Sequence, residues 1–234
     1  MDVWMPGDCS LQTWLDAHQE SKYIRYFCGC DLGRKRDPST LAIIEVQYHW
    51  TGRTYVVSYL KRFTLSMLYS GIAAKLVKTD ESLKKIAAEK GKEAIISYVL
   101  DATGIGAPIC ELVDSKLPLA DVKRVYITGG INTTEGSEYN EYHVPKGQLI
   151  SGLMAAFDSK SIYMTRRSKE IDQIVIELAE FEIYVIESGR DIFDDRGKGH
   201  RADLVIALAL AVWAADYDGY SGGLWFGNLE NTNS

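Results

Sequence analysis

The feature that most constrains the fold is an apolar segment near the end of the sequence, at 201–217. Its side chains have helical spacing and are apolar on nearly all sides, which predicts a helix that is buried or covered by a partner. One narrow stripe of this helix carries a carboxylate followed by three alanines: Asp203, Ala207, Ala211 and Ala214. Because alanine side chains are small, the stripe favours close packing against a sheet, with Asp203 near the ends of its strands.

The rest of the chain predicts a mixed α/β sheet flanked by helices. Apolar and aromatic runs at 23–31, 40–48 and 53–63, separated by short turns, predict three antiparallel strands. Helical and strand patterns then alternate, which predicts parallel strands joined by crossovers. The predicted helices are 66–90 (with a break near 79), 105–116, 145–157 and 168–181, and the predicted strands are 94–101, 122–128, 161–165 and 182–186. Residues 129–144 are predicted to form a functional loop or a small hairpin.

Composition limits the class of protein. The chain has 234 residues, of which 46% are hydrophobic and 25% are charged, as in an ordinary globular protein. Its longest apolar run, at 204–215, is shorter than the roughly 20 residues that a membrane span needs. The length of 234 residues suits one domain. From the pattern along the chain we expect this domain at 22–217, with an N-terminal leader or linker at 1–21 and a flexible C-terminal tail at 218–234.

Three aspartates lie at the ends of predicted elements. Asp31 ends the first strand, Asp101 ends the strand after the first crossover, and Asp203 begins the last helix. Ligands of α/β sheets bind just outside the carboxyl ends of the strands. If the two strands are neighbours, Asp31 and Asp101 lie side by side and repel each other unless a cation lies between them.

Carboxylates at such positions are suited to a particular chemistry. They are preferred ligands of Mg²⁺ and Mn²⁺, and two such ions can bind both the attacking and the leaving oxygen of a phosphodiester. The pattern therefore predicts a metal site formed by different elements. For each aspartate alone, a role as a turn former or a helix cap stays open.

Other motifs point away from competing functions. Cys28 and Cys30 are predicted to lie on one face of a strand, and no further pair of metal ligands at suitable spacing completes a zinc site, so we expect free buried thiols. The chain contains no phosphate-binding motif of the P-loop type. The segment at 103–108 resembles the start of a dinucleotide fingerprint, but Ile109 replaces its third glycine.

Three segments together resemble the C-terminal nuclease domain of bacteriophage terminase large subunits: CDLG at 30–33, LDATGIG at 100–106 and HRADLVIALALA at 200–211. The sequence VPK at 144–146 is also similar to a segment of that family. The resemblance implies an RNase H-like fold and three catalytic carboxylates, Asp31, Asp101 and Asp203, that bind two divalent cations, Mg²⁺ or Mn²⁺. It also implies that Lys146 contacts DNA phosphate.

The same resemblance implies an endonuclease that cuts double-stranded viral DNA during genome packaging. Its implied partners are an ATPase motor domain, the portal and the small terminase subunit, and its implied location is the cytoplasm of the infected host cell. The family often has a second acid where this chain has Ala202, and Asp194 or Asp195 could substitute for it. Because no P-loop is present, three alternatives stay open: an excised domain, a split gene product or a related stand-alone nuclease.

The net charge of −6, from 26 basic and 32 acidic residues, excludes a surface that is basic throughout but not a local basic stripe. The candidate DNA contacts besides Lys146 are Arg34, Lys35, Arg36, Lys198, His200 and Arg201, with a further pair at Arg166 and Arg167. Two alternatives stay open. One is another RNase H-like phosphoryl transferase, such as a Holliday-junction resolvase, and the other is a non-catalytic domain that docks DNA or protein.

Overall fold

The structure is a computed structural model that describes residues 22–33, 37–49, 52–104, 106–118, 120–164, 169–188 and 202–221. The strands are β1 (Tyr23–Asp31), β2 (Thr40–His49), β3 (Gly52–Arg62), β4 (Glu93–Asp101), β5 (Asp121–Thr128), β6 (Thr134–Glu135), β7 (Glu141–Pro145) and β8 (Ile162–Met164). The helices are α1 (Tyr69–Glu89), α2 (Gly106–Lys116), α3 (Lys146–Asp158), α4 (Lys169–Ser188) and α5 (Asp203–Ser221).

The eight strands form one mixed sheet in the order β6-β7-β5-β4-β1-β2-β3-β8. The first three strands pair antiparallel, while β4, β5 and β7 extend the sheet in parallel from β1. The predicted combination of an antiparallel meander with parallel crossover strands is therefore confirmed. The segment at 129–144 contains the hairpin of β6 and β7, whose second strand joins the sheet beside β5.

Helices cover both faces of the sheet. On one face, α1 and α2 pack over a core that contains Cys28 and Cys30, both of which are free thiols. On the other face, α5 lies between the sheet and the helices α3 and α4. Every side chain of α5 at 204–215 is buried, as the apolar pattern predicts. None of the described helices has the length and apolar character that a membrane span requires.

The contact between α5 and β1 is unusually close at Gly29. A Cβ atom at this position would lie 2.0 Å from the carbonyl oxygen of Ala207 and 2.8 Å from the backbone nitrogen of Ala211. These two alanines belong to the stripe that predicts close packing. Because both contacts are with backbone atoms, a side chain in place of Gly29 could be accommodated only by moving α5 away from the sheet.

A β-bulge in β3 decides which of its residues face α5. The pairing of β3 with β2 skips Ser58. Before the bulge, Tyr55 and Val57 pack into the core around α5, and after it Leu60 does. The inward positions therefore change from odd to even numbers, and Arg62 lies on the α5 side of the sheet.

Two predictions about the helices are wrong, a break near 79 and a strand at 182–186. The helix predicted with a break near 79 is continuous, because Asp80 is buried and its carboxylate pairs with Lys84 one turn later at 2.7 Å. This helix ends at Glu89 with Lys90 as its cap residue, and Gly91, the predicted cap glycine, follows with φ of 69° and donates its N–H to the carbonyl of Ala88 at 2.9 Å. The strand predicted at 182–186 is part of α4, since a short apolar run does not distinguish a strand from a buried helical turn.

The close contact at Gly29 predicts that Gly29→Ala destabilises the protein by about 3 kcal/mol or more, because the added methyl group overlaps backbone atoms of α5. Gly152→Ala is the matched control: Gly152 lies within α3, and its added Cβ meets nothing within 4 Å. This control should stabilise the protein by about 0.5–1 kcal/mol, through helix propensity. Urea unfolding of both variants tests the prediction, which fails if Gly29→Ala is as stable as the wild type.

Candidate functional site

Asp31 and Asp101 lie side by side at the carboxyl ends of two neighbouring parallel strands. The register of β1 and β4 pairs Cys30 with Leu100, so the next residue of each strand is an aspartate. Residues of the same parity on these strands, Phe27 and Val99, pack into the core around α5. Both aspartates therefore lie on the face of the sheet that α5 covers.

Asp203 is brought to the same edge of the sheet by the start of α5. Its backbone carbonyl accepts a hydrogen bond of 2.8 Å from the hydroxyl of Thr40. Thr40 is the antiparallel partner of Asp31 in the pairing of β1 with β2. The first residue of α5 is thus attached next to the last residue of β1.

The electrostatic environment of Asp31 shows how the predicted residues are grouped. Burial raises the pKa of Asp31 well above its usual range, and the charges of Asp101 and Asp203 raise it further. The Lys146 ammonium opposes this effect and lowers the pKa of Asp31. The sequence-predicted residues Asp31, Asp101, Asp203 and Lys146 therefore share one site, supplied by four different elements.

The position of Lys146 follows from a strand that runs directly into a helix. Pro145 ends β7 with φ of −61° and ψ of 132°, and Lys146 is the first residue of α3. Pro145 is thus the cap residue rather than the first helical residue that the sequence predicts. Since β7 pairs in parallel with β5, Lys146 begins α3 at the same sheet edge as the aspartates.

The Asp101 side chain is oriented by its own turn. One carboxylate oxygen, Oδ1, accepts a hydrogen bond of 2.8 Å from the backbone N–H of Thr103. The hydroxyl of Thr103 accepts a hydrogen bond of 2.9 Å from the N–H of Ile127 on the neighbouring strand β5. Gly104 follows with φ of 70°, a conformation that favours glycine. This turn fixes residues 101–104, which belong to the LDATGIG segment that resembles the terminase nuclease family.

An arginine on β3 reaches Asp203. The Nε atom of Arg62 lies 3.6 Å from Oδ2 of Asp203, and its Nη2 donates to Oε1 of Glu177 on α4. All three side chains are largely buried. One guanidinium group is therefore placed between two carboxylates.

Glu177 also binds the start of α5. Its Oε2 atom accepts hydrogen bonds from the backbone N–H groups of Leu204 at 3.1 Å and Val205 at 3.4 Å. Burial raises the pKa of Glu177, while Arg62 and the N–H of Val205 lower it. A carboxylate at a helix N-terminus is favourable, because it satisfies N–H groups that lack an intrahelical partner.

Sequence reasoning missed both Arg62 and Glu177. A signal for Glu177 was present, since it lies three residues after the buried Ile174 and one before Leu178, on the apolar stripe of α4. A charged residue on such a stripe indicates a buried ionic partner. Arg62 gave no comparable signal, because the bulge at Ser58 decides which side of the sheet it faces.

The donor chemistry of the three aspartates suits Mg²⁺ or Mn²⁺, which prefer carboxylate oxygens. Within the part of the chain that the structure describes, however, no three Asp, Glu, His or Cys side chains are close enough together to hold an ion as they stand. Two of the carboxylates instead face protein donors, Asp101 towards Thr103 and Asp203 towards Arg62. Their grouping around the partly buried Asp31 still fits a cation site, because positive charge there would relieve the repulsion.

Several predicted residues lie outside the described residues. They are the candidate DNA contacts Arg34, Lys35, Arg36, Lys198, His200 and Arg201, the pair Arg166 and Arg167, and the possible substitute acids Asp194 and Asp195. Asp37, which the structure does describe, is a further acid whose charge raises the pKa of Asp31.

Comparison with known proteins gives structural matches only. No protein-family model and no curated protein matches the chain. The human cytomegalovirus terminase nuclease domain matches in a Mn-soaked, inhibitor-bound structure with a TM-score of 0.52, 11% identity and coverage of 84% of each chain. Its Mn-soaked structure matches with a TM-score of 0.51, 15% identity and coverage of 84% of this chain and 83% of that one.

The large terminase nuclease of thermophilic phage G20c is 21% identical over 80% of this chain and 81% of that one, with a TM-score of 0.48. The arrangement of the sheet and helices agrees with the predicted architecture. The chain has the RNase H-like fold of viral terminase nuclease domains.

Proposed function

We propose that the chain is the nuclease domain of a viral terminase large subunit, an endonuclease that uses two divalent cations to cut double-stranded DNA during genome packaging. The observation that carries the proposal is the grouping of Asp101, Asp203 and Lys146 around the partly buried carboxyl of Asp31 at one edge of the sheet. The fold shared with the human cytomegalovirus terminase nuclease domain, which matches in two Mn-soaked structures, supports it.

The proposed site assigns a role to each of these residues. Asp31, Asp101 and Asp203 would bind Mg²⁺ or Mn²⁺, which when bound supply an activated water and stabilise the leaving oxygen of the phosphodiester. Lys146 would contact a phosphate of the DNA, as its place beside the carboxylates allows. The turn at Thr103 holds Asp101 in place on a rigid strand end, which favours precise positioning of the scissile phosphate.

DNA binding would rely on local positive charge, since the chain as a whole is acidic. The basic residues at 34–36 and 198–201 flank Asp31 and Asp203 in sequence and are the proposed phosphate contacts besides Lys146. We further propose that the chain acts in the cytoplasm of an infected host cell, with an ATPase motor domain, a portal and a small terminase subunit as partners.

The proposal predicts metal-dependent cleavage of plasmid DNA. With Mg²⁺ or Mn²⁺, Asp101→Ala and Asp203→Ala should cut at least about 100-fold more slowly than the wild type, because each removes an ion ligand. Asp158→Ala is the control, since Asp158 is exposed at the far end of α3, about 20 Å along the helix from Lys146. Agarose gel assays measure the rates, and undiminished cutting by either site variant would contradict the assignment.

The substrate separates the proposal from its alternatives. A terminase nuclease should cut linear duplex DNA, whereas a resolvase should prefer four-way junctions over linear duplex DNA. The same gel assay with the two substrates decides between them. Cleavage of neither substrate, with or without divalent cations, would favour the non-catalytic docking domain.

A cation site at Asp31 predicts opposite effects of Asp31→Asn with and without metal. In EDTA the variant should melt roughly 2–4 °C above the wild type, because it removes a partly buried charge that two other carboxylates repel. Mn²⁺ should raise the melting temperature of the wild type but not that of the variant. Scanning calorimetry tests this, and a variant that keeps the full Mn²⁺ response rules out Asp31 as a ligand.

A phosphate contact at Lys146 predicts weaker DNA binding by Lys146→Gln, with the slope of log affinity against log salt reduced by about one. Lys160→Gln is the matched control, because Lys160 is exposed just beyond the other end of α3. Fluorescence anisotropy of a labelled duplex gives both quantities. If Lys146 serves only as a counter-charge for Asp31, the affinity and the slope stay at wild-type values.

A further inference from the structure

Arg62 is placed so that one guanidinium group contacts two largely buried carboxylates, those of Glu177 and Asp203. Its Nη2 is hydrogen-bonded to Glu177, while its Nε faces Asp203 at 3.6 Å. This Nε is buried and makes no hydrogen bond with any residue that the structure describes. The guanidinium therefore binds Glu177 closely and reaches Asp203 only through a longer ion pair.

The two carboxylates that face Arg62 differ in what else they bind. Glu177 uses its other oxygen to accept the N–H groups of Leu204 and Val205, so its position is fixed by α5. Asp203 is the first residue of the same helix and one of the proposed cation ligands. A cation can bind Asp203 fully only if Arg62 does not neutralise it, since two positive groups at one carboxylate repel each other.

We propose that Glu177 is a positioning residue that keeps Arg62 from pairing more closely with Asp203, so that the Asp203 carboxylate can still bind a divalent cation. This inference rests on the proposed function, because it gives Asp203 the role of a cation ligand. Arg62 then has two uses. It neutralises the buried Glu177, and it offsets the charge of Asp203 while the site holds no cation.

The proposal predicts opposite changes in Mn²⁺ affinity from the two partners. Glu177→Gln keeps an oxygen that can accept the N–H groups of α5 but loses the charge that holds Arg62. Arg62 should then pair more closely with Asp203 than the present 3.6 Å, and Mn²⁺ should bind roughly tenfold more weakly, as expected for coupling within one ion-pair network. Arg62→Met should bind Mn²⁺ at least as tightly as the wild type, because a competing positive charge is removed.

The double variant Arg62→Met with Glu177→Gln distinguishes this from simple loss of structure. It removes both charges, so its Mn²⁺ affinity should return to within about twofold of the wild type, although its melting temperature in EDTA can be lower. The matched control is Glu170→Gln, which breaks the 2.7 Å ion pair of Lys61 with Glu170. That pair joins the same two elements, β3 and α4, and is separate from the ion pair of Arg62 with Asp203.

Isothermal titration of the full chain with Mn²⁺ measures these affinities, and calorimetric melting in EDTA reports folding. Weaker binding by Glu177→Gln, its restoration in the double variant and no change in Glu170→Gln would support the proposal. Wild-type affinity in Glu177→Gln, or weakened binding in Arg62→Met, would overturn it while leaving the proposed function intact. A wild type that binds no Mn²⁺ would overturn both.

Discussion

The close packing of α5 on β1 is the constraint on which the rest of the structure depends. Gly29 on the strand and alanines on the helix allow the two backbones to touch, which leaves no space for a side chain between them. This contact fixes the height of α5 above the sheet, and hence the place of Asp203 beside Asp31. Apolar packing in the middle of the molecule thus sets the geometry of charged groups at its edge.

The charged edge is costly for the fold, and the surrounding residues offset part of that cost. Three carboxylates lie at one partly buried edge of the sheet, where burial and the charges of the other two raise the pKa of Asp31. Lys146 and Arg62 supply positive charge from two sides, on α3 and β3. Such a site is under electrostatic strain, as is common where charge is arranged for binding rather than for stability.

The opposite end of α5 is held by a separate set of ion pairs. Arg53 pairs with Asp216 at 2.9 Å and donates to the carbonyl of Ala215, while the buried Lys123 lies 3.3 Å from Asp218. These cations balance acids that are unfavourable near a helix C-terminus. Both ends of the helix are therefore attached to the sheet by charge, and its middle by close apolar contact.

Much of the fold could be predicted because its signals are local. The alternation of β1 to β3, the apolar pattern of α5 and the strand-terminal positions of Asp31 and Asp101 all appear in short stretches of sequence. The strand predicted at 182–186 was wrong because its run of apolar residues suits either conformation. Glu177 and Arg62 could not be paired from sequence, since they lie on α4 and β3 and meet only through the tertiary structure.

The bulge at Ser58 has a chemical consequence at the far end of β3. Lys61 and Arg62 are adjacent cations, and the parity of the strand decides which of them reaches Glu177 and Asp203. Lysine carries a compact charge, whereas arginine carries a planar group with several donors that can address two carboxylates from one position. Because the extra residue at the bulge places Arg62 rather than Lys61 on the α5 side, one side chain contacts two carboxylates.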